Sequence, residues 1–162
     1  MKKIILSLLL LFIAIGPAQA NTLSSDLSIP FNKLSAVQKS LKTLGSNISE
    51  AAGADTQPDR VYAMQDMANM CKVSATQIHS LNSLFSVVNL VKRKDSFKNK
   101  EVDMLKSKCG YAFNDISRRK TFIKDILTKA KDQTLKDLAK IFEAQLNIVL
   151  KQLSEINRNF NK

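Results

Sequence analysis

Apolar residues recur along this chain at alternating steps of three and four, the spacing that lines one face of a helix. Leu34, Val37, Leu41, Leu44 and Ile48 form a first stripe. Pro30 suits its start, because a first-turn residue needs no N–H donor, and Gly53 marks its end before Ala54-Asp55-Thr56-Gln57. Thr56 with Asp59 reads as a capping box, and Pro58 sits in the next first turn. A second stripe holds Val61, Met64, Ala68, Cys71, Ala75 and Ile78. Beyond Ser80 it weakens, where Asn82, Ser83 and Ser86 mix with β-branched Val87 and Val88. The stretch Lys92–Lys100, with Asp95, Ser96 and Asn99, reads as a turn.

Val102, Leu105, Cys109, Phe113, Ile116, Ile123 and Leu127 make a third stripe, with Lys129 and Lys131 at the end where the helix dipole favours cations. Thr134 with Asp137 marks a new start, and Leu138, Phe142, Leu146, Val149, Leu153, Ile156 and Phe160 make a fourth stripe. Gly and Pro are scarce and Trp is absent, which favours helix over sheet. The expected fold is all-α: an antiparallel four-helix bundle, up-down-up-down, over residues 30–162, preceded by a short linker at 21–29.

The first twenty residues follow a different rule. Lys2 and Lys3 precede an apolar run from Ile4 to Ile15, Gly16-Pro17 ends it, and Ala18-Gln19-Ala20 offers small residues at the positions a signal peptidase inspects. About a dozen apolar residues fall short of the roughly 20 that span a bilayer. The expectation is a secretory leader of bacterial type, cleaved near Ala20, and a product that is periplasmic or secreted. Such a compartment is oxidising.

Without Lys2 and Lys3 the formal charge falls from +11 to +9, and it is unevenly spread. Residues 21–91 carry five basic and five acidic side chains, whereas 92–120 carry ten basic against four acidic. The excess concentrates at Lys92, Arg93, Lys94, Lys98, Lys100, Lys106, Lys108, Arg118, Arg119 and Lys120. Two readings compete: a surface that meets an anionic partner, and a solvated lysine-rich face that maintains solubility.

Cys71 and Cys109 fall on the inward stripes of the second and third helices. In an exported protein with two cysteines, a disulfide between them is the expected pairing. It would stabilise the fold by about 4 kcal/mol on chain-entropy grounds. Straight helices around a turn near residue 95 would leave the two about 15 Å apart, beyond the roughly 7 Å a disulfide spans. The pairing therefore requires a bend or break between Ser80 and Lys100, with 80–88 the best site. Gly110, inside the third helix, reads as a point of close approach or a kink.

Catalytic signals are few. His79 is the only histidine, so a Ser-His-acid set would depend on it, yet no nucleophile elbow, Gly-rich loop or paired-carboxylate motif accompanies it. A haem held by His79 with Met64 or Met104 lacks an attachment motif. The absence of Glu-x-x-His argues against a carboxylate-bridged metal centre. Neither cofactor nor metal is expected. Met64, Met67, Met70 and Met104 read as core. Tyr62, Phe97, Tyr111, Phe113 and Phe122 are too sparsely interleaved with the basic residues for a nucleic-acid platform. Asp55 and Asp59 read as capping groups.

Together these features point to an exported, basic, non-catalytic binding protein that engages an acidic protein as an inhibitor, immunity-type or accessory factor. The alternative is an envelope-surface binder of anionic lipid or lipopolysaccharide, with a His79 enzyme as a distant third.

Overall fold

A computed structural model describes the backbone of residues 2–92 and 99–161, and the side chains of residues 27–90 and 100–161. Four helices, α1 (Lys2–Ala54), α2 (Pro58–Lys92), α3 (Asn99–Lys129) and α4 (Gln133–Asn159), make up the described structure, and it contains no strands. Their stripes meet in one core: Leu34, Leu41 and Ile48 of α1, Met64, Met67 and Ile78 of α2, Leu105, Ile116 and Ile123 of α3, and Phe142, Leu146 and Leu153 of α4. The 3.6-residue period carried this information, because a helix buries only the face on which its apolar residues align.

Neighbours are unequal. α1 packs most closely on α2, α4 on α3, and α1 on α4, while α2 and α3 form the sparsest contact between consecutive helices. Between α1 and α2, Phe31 stacks on Phe85 with ring centroids 4.1 Å apart and planes 6° apart. Further along, Gly45 faces Cys71, and Lys72 Nζ donates to Ser49 Oγ at 3.0 Å. Residue numbers thus rise along α1 as their partners fall along α2.

Several expectations need correction. Pro30 lies inside α1, where its missing N–H removes one rung; Leu27, Phe31 and Leu34, all buried, anchor the helix on both sides of it. α2 runs without a break through 80–88, because Leu81, Phe85 and Val88 continue the buried stripe. The hydroxyls that suggested a break are satisfied inside the helix: Ser80 Oγ donates to the Thr76 carbonyl and Ser86 Oγ to that of Asn82. Helix α4 starts two residues early, capped not by Thr134 but by Asp132, whose carboxylate accepts from Leu135 N at 2.9 Å.

The expected disulfide is absent. Cys71 and Cys109 are both free and buried. A continuous α2 explains it. Hydrogen bonds across α2 and α3 pair Gln77 with Asp115 and Ser74 with Arg119. Cys109 therefore lies level with about residue 83 of α2, twelve residues from Cys71 and about 18 Å along the axis. Desolvation pushes both thiols up to about 12, so each acts as a small apolar core group.

Gly110 has nothing within 4 Å of the place a Cβ would occupy, and so is not a point of close approach. Gly45 is. A Cβ there would lie 3.0 Å from Cys71 Cβ and 3.1 Å from the Ala68 carbonyl oxygen. A missing side chain on α1 lets α2 settle against its backbone.

Candidate binding surface

Arg60 organises one end of the molecule. It pairs with Asp55 through Nε and through Nη2, the latter at 2.8 Å, while Nη1 donates to Asp132 Oδ2 at 2.9 Å. Asp55 also accepts from Gln57 N at 2.9 Å. The guanidinium thus joins the α1–α2 connection to the cap of α4. The Arg60 hydrogen bond, then the Gln57 N–H, hold the Asp55 carboxyl below its usual range. For Asp132 the Leu135 N–H acts first and Arg60 second. Both aspartates are therefore committed to structure.

His79 is exposed on the opposite flank of α2 from α3, in a shallow depression with Gln38, Lys42, Lys72, Ala75 and Thr76. Met64 lies in the core and Met104 on the surface, on α2 and α3 respectively. Among the described residues no three His, Cys, Asp or Glu side chains cluster as a metal site would require.

The expected basic surface divides. Arg93, Lys94 and Lys98, with the Lys92 side chain, lie outside the described residues. Lys106 turns towards α4 and donates to Asn161 Oδ1 at 2.6 Å, and Lys120 is half-buried. Arg119 faces α2. Its Nη1 donates to Ser74 Oγ at 3.0 Å and to Gln77 Oε1 at 2.9 Å, while Gln77 Nε2 donates to Asp115 Oδ2 at 3.1 Å. Desolvation holds Arg119 below the ordinary guanidinium value, and Asp115 opposes that shift. Lys100, Lys108 and Arg118 are exposed. At 100° per residue, Lys100 and Arg118 fall on the same edge of α3 as Met104, Tyr111 and Phe122.

This edge borders the shallow contact between α2 and α3. Two depressions lie along it. One, of ≈ 400 Å³, is lined by Gln77, Ser80, Leu81, Leu84, Lys108, Tyr111 and Asp115. The other, of ≈ 360 Å³, is lined by Asp66, Asn69, Met70, Val73, Arg119 and Phe122. Tyr111 is 66% exposed, Val73 52% and Phe122 45%, which is high for apolar side chains grouped together.

No family model, curated protein or solved structure matches this chain. Of the candidate surface the sequence shows the cations but not the groove: Val73, Leu84, Tyr111 and Phe122 come together only once α2 and α3 are set in register. Sequence places Arg119 among the basic residues of α3, whereas its position against buried Ser74 is a tertiary fact with no local signal.

Among the described residues no helix is long and apolar enough to cross a membrane.

Proposed function

We propose that the chain is an exported, non-catalytic helical bundle that binds an acidic protein, using the cationic edge of α3 as an inhibitor, immunity-type or accessory factor does. The observation that carries this reading is the company of exposed Lys100, Lys108 and Arg118 with exposed Tyr111 and Phe122 on one side of the molecule. Lysines that serve only solubility need no apolar neighbours, whereas protein interfaces pair apolar anchors with a polar rim.

In this reading the helices alternate in direction, up-down-up-down. Supporting it, the contacts between α1 and α2, and those between α2 and α3, pair rising residue numbers with falling ones. Export also accords with the packing. Lys92, the last residue of α2, comes level with about residue 24 of α1 by the register of Phe31 with Phe85, so cleavage near Ala20 removes no turn of α1 that α2 covers.

The test is capture from envelope extract by the immobilised protein, beside a variant carrying Lys100→Glu, Lys108→Glu and Arg118→Glu. The reading expects an acidic protein that is retained by the unaltered chain, released as salt screens the contact, and lost with the variant. Capture of nothing, or equal capture by both, overturns it. The alternative, attachment to anionic lipid or lipopolysaccharide, predicts instead that the protein sediments with anionic vesicles at low salt and is released at high salt.

A further inference from the structure

The two depressions between α2 and α3 correspond in position, displaced along the groove by a fixed interval. Gln77, Ser80, Leu81 and Leu84 line the first; Asp66, Asn69, Met70 and Val73, each eleven residues earlier on α2, line the second. On α3 the displacement has the same size and the opposite sense: Lys108 and Tyr111 in the first become Arg119 and Phe122 in the second. Part of the chemistry is kept as well. Each depression has an apolar pair from α2 (Leu81 with Leu84, Met70 with Val73), one aromatic ring, one cation and one aspartate, Asp115 from α3 in the first and Asp66 from α2 in the second.

Eleven residues are about 16 Å of helix and just over three turns. Any helix lying along the groove meets the same interval, because residues i and i+11 return to nearly the same face. We propose that the groove seats an amphipathic, acidic helix of a partner protein, with one apolar side chain in each depression, i and i+11, and carboxylates beside them. Exposed Lys108 borders the first depression, and exposed Lys100 and Arg118 extend the positive rim, while Arg119, held by Ser74 and Gln77, forms the floor of the second. The sparse contact between α2 and α3 leaves room for such a third helix, a recurrent mode of recognition. The inference rests on the acidic-partner reading and specifies which partner surface is recognised.

The probe is a pair of dye-labelled helical peptides of identical Ala, Glu, Gln and Leu composition. One carries leucines at i and i+11. The other carries them at i and i+9, on opposite faces. Fluorescence anisotropy with the purified protein is expected to show at least ten-fold tighter binding of the first peptide. Tyr111→Ser and Phe122→Ser, both at exposed positions and checked for an unchanged melting curve, should each weaken that peptide at least five-fold and remove its advantage over the second.

Equal affinity for the two peptides, with both lost in the Lys100→Glu, Lys108→Glu, Arg118→Glu variant, overturns the groove and leaves the acidic-partner reading standing. Absence of binding by both peptides at low salt overturns both readings. Sedimentation of the protein as a dimer that Tyr111→Ser dissolves would assign the groove to a second copy instead. Tyr111-dependent binding to anionic vesicles would assign it to a lipid surface. Either result overturns the proposal.

Discussion

Replacing Gly45 by alanine adds one methyl group where α1 and α2 approach closely. The new carbon would stand 3.0 Å from Cys71 Cβ, 3.1 Å from the Ala68 carbonyl oxygen and 3.3 Å from Lys72 Cγ. Lys72 can swing away. Cys71 Cβ and the Ala68 carbonyl are fixed to the backbone of α2, so relief requires the helices to separate by a few tenths of an ångström. Overpacking of this kind costs about 1–3 kcal/mol, against about 1 kcal/mol returned by the better helix propensity of alanine. The net expectation for Gly45→Ala is a loss of about 1 kcal/mol.

Gly110→Ala is the control. It is also helical, but its methyl group would meet nothing within 4 Å, so the propensity gain of about 1 kcal/mol stands alone. The two variants should therefore differ by about 2 kcal/mol in urea unfolding followed by circular dichroism. In a domain of this size that is a separation of about 4–8 °C in melting temperature, with Gly110→Ala above the unaltered protein and Gly45→Ala below it. Equal stabilisation by both would refute the reasoning, because it would mean that α1 and α2 do not approach at Gly45.

Further expectations concern the thiols, the polar links and the acid limb. A thiol reagent should find neither Cys71 nor Cys109 in the native protein, and both in guanidinium without reductant; none in guanidinium would restore the disulfide. Arg119→Met removes the donor to buried Ser74 and should cost about 1–3 kcal/mol, most of it recovered when Ser74→Ala accompanies it. Asp55 and Asp132 have folded pKa values below their unfolded ones. Their contribution is thus present above the ordinary carboxylate pKa near 4 and is lost as pH falls below it. Arg60→Met should flatten that part of the stability-against-pH curve and leave the neutral-to-alkaline part unchanged in slope.

Helix content was legible because it depends on local period. Leu34 to Ile48 and Phe142 to Ile156 needed only their spacing to be placed inside. Residues 80–88 were misread because Asn82, Ser83, Ser86 and two valines lower helix propensity, whereas Phe85 against Phe31 supplies a tertiary contact that overrides it. The disulfide failed for a related reason. Two inward cysteines satisfied the rule for sidedness, but the axial offset between them was real, and an unbroken α2 keeps it. Arg60 and Arg119 could not be assigned from sequence, since Asp132 and Ser74 become their neighbours only through folding. The eleven-residue correspondence of Met70 with Leu81, and of Tyr111 with Phe122, was present in the sequence. It acquires meaning only when α2 and α3 are laid side by side and the displacement on one matches that on the other.

The most direct test is a heteronuclear NMR titration of the labelled protein with the i, i+11 acidic peptide. Amide shifts should concentrate at Val73, Gln77, Leu84, Lys108, Tyr111, Arg119 and Phe122, and fade as salt is added. Shifts gathered on the outer faces of α1 and α4, or none at all at low ionic strength, would contradict the account.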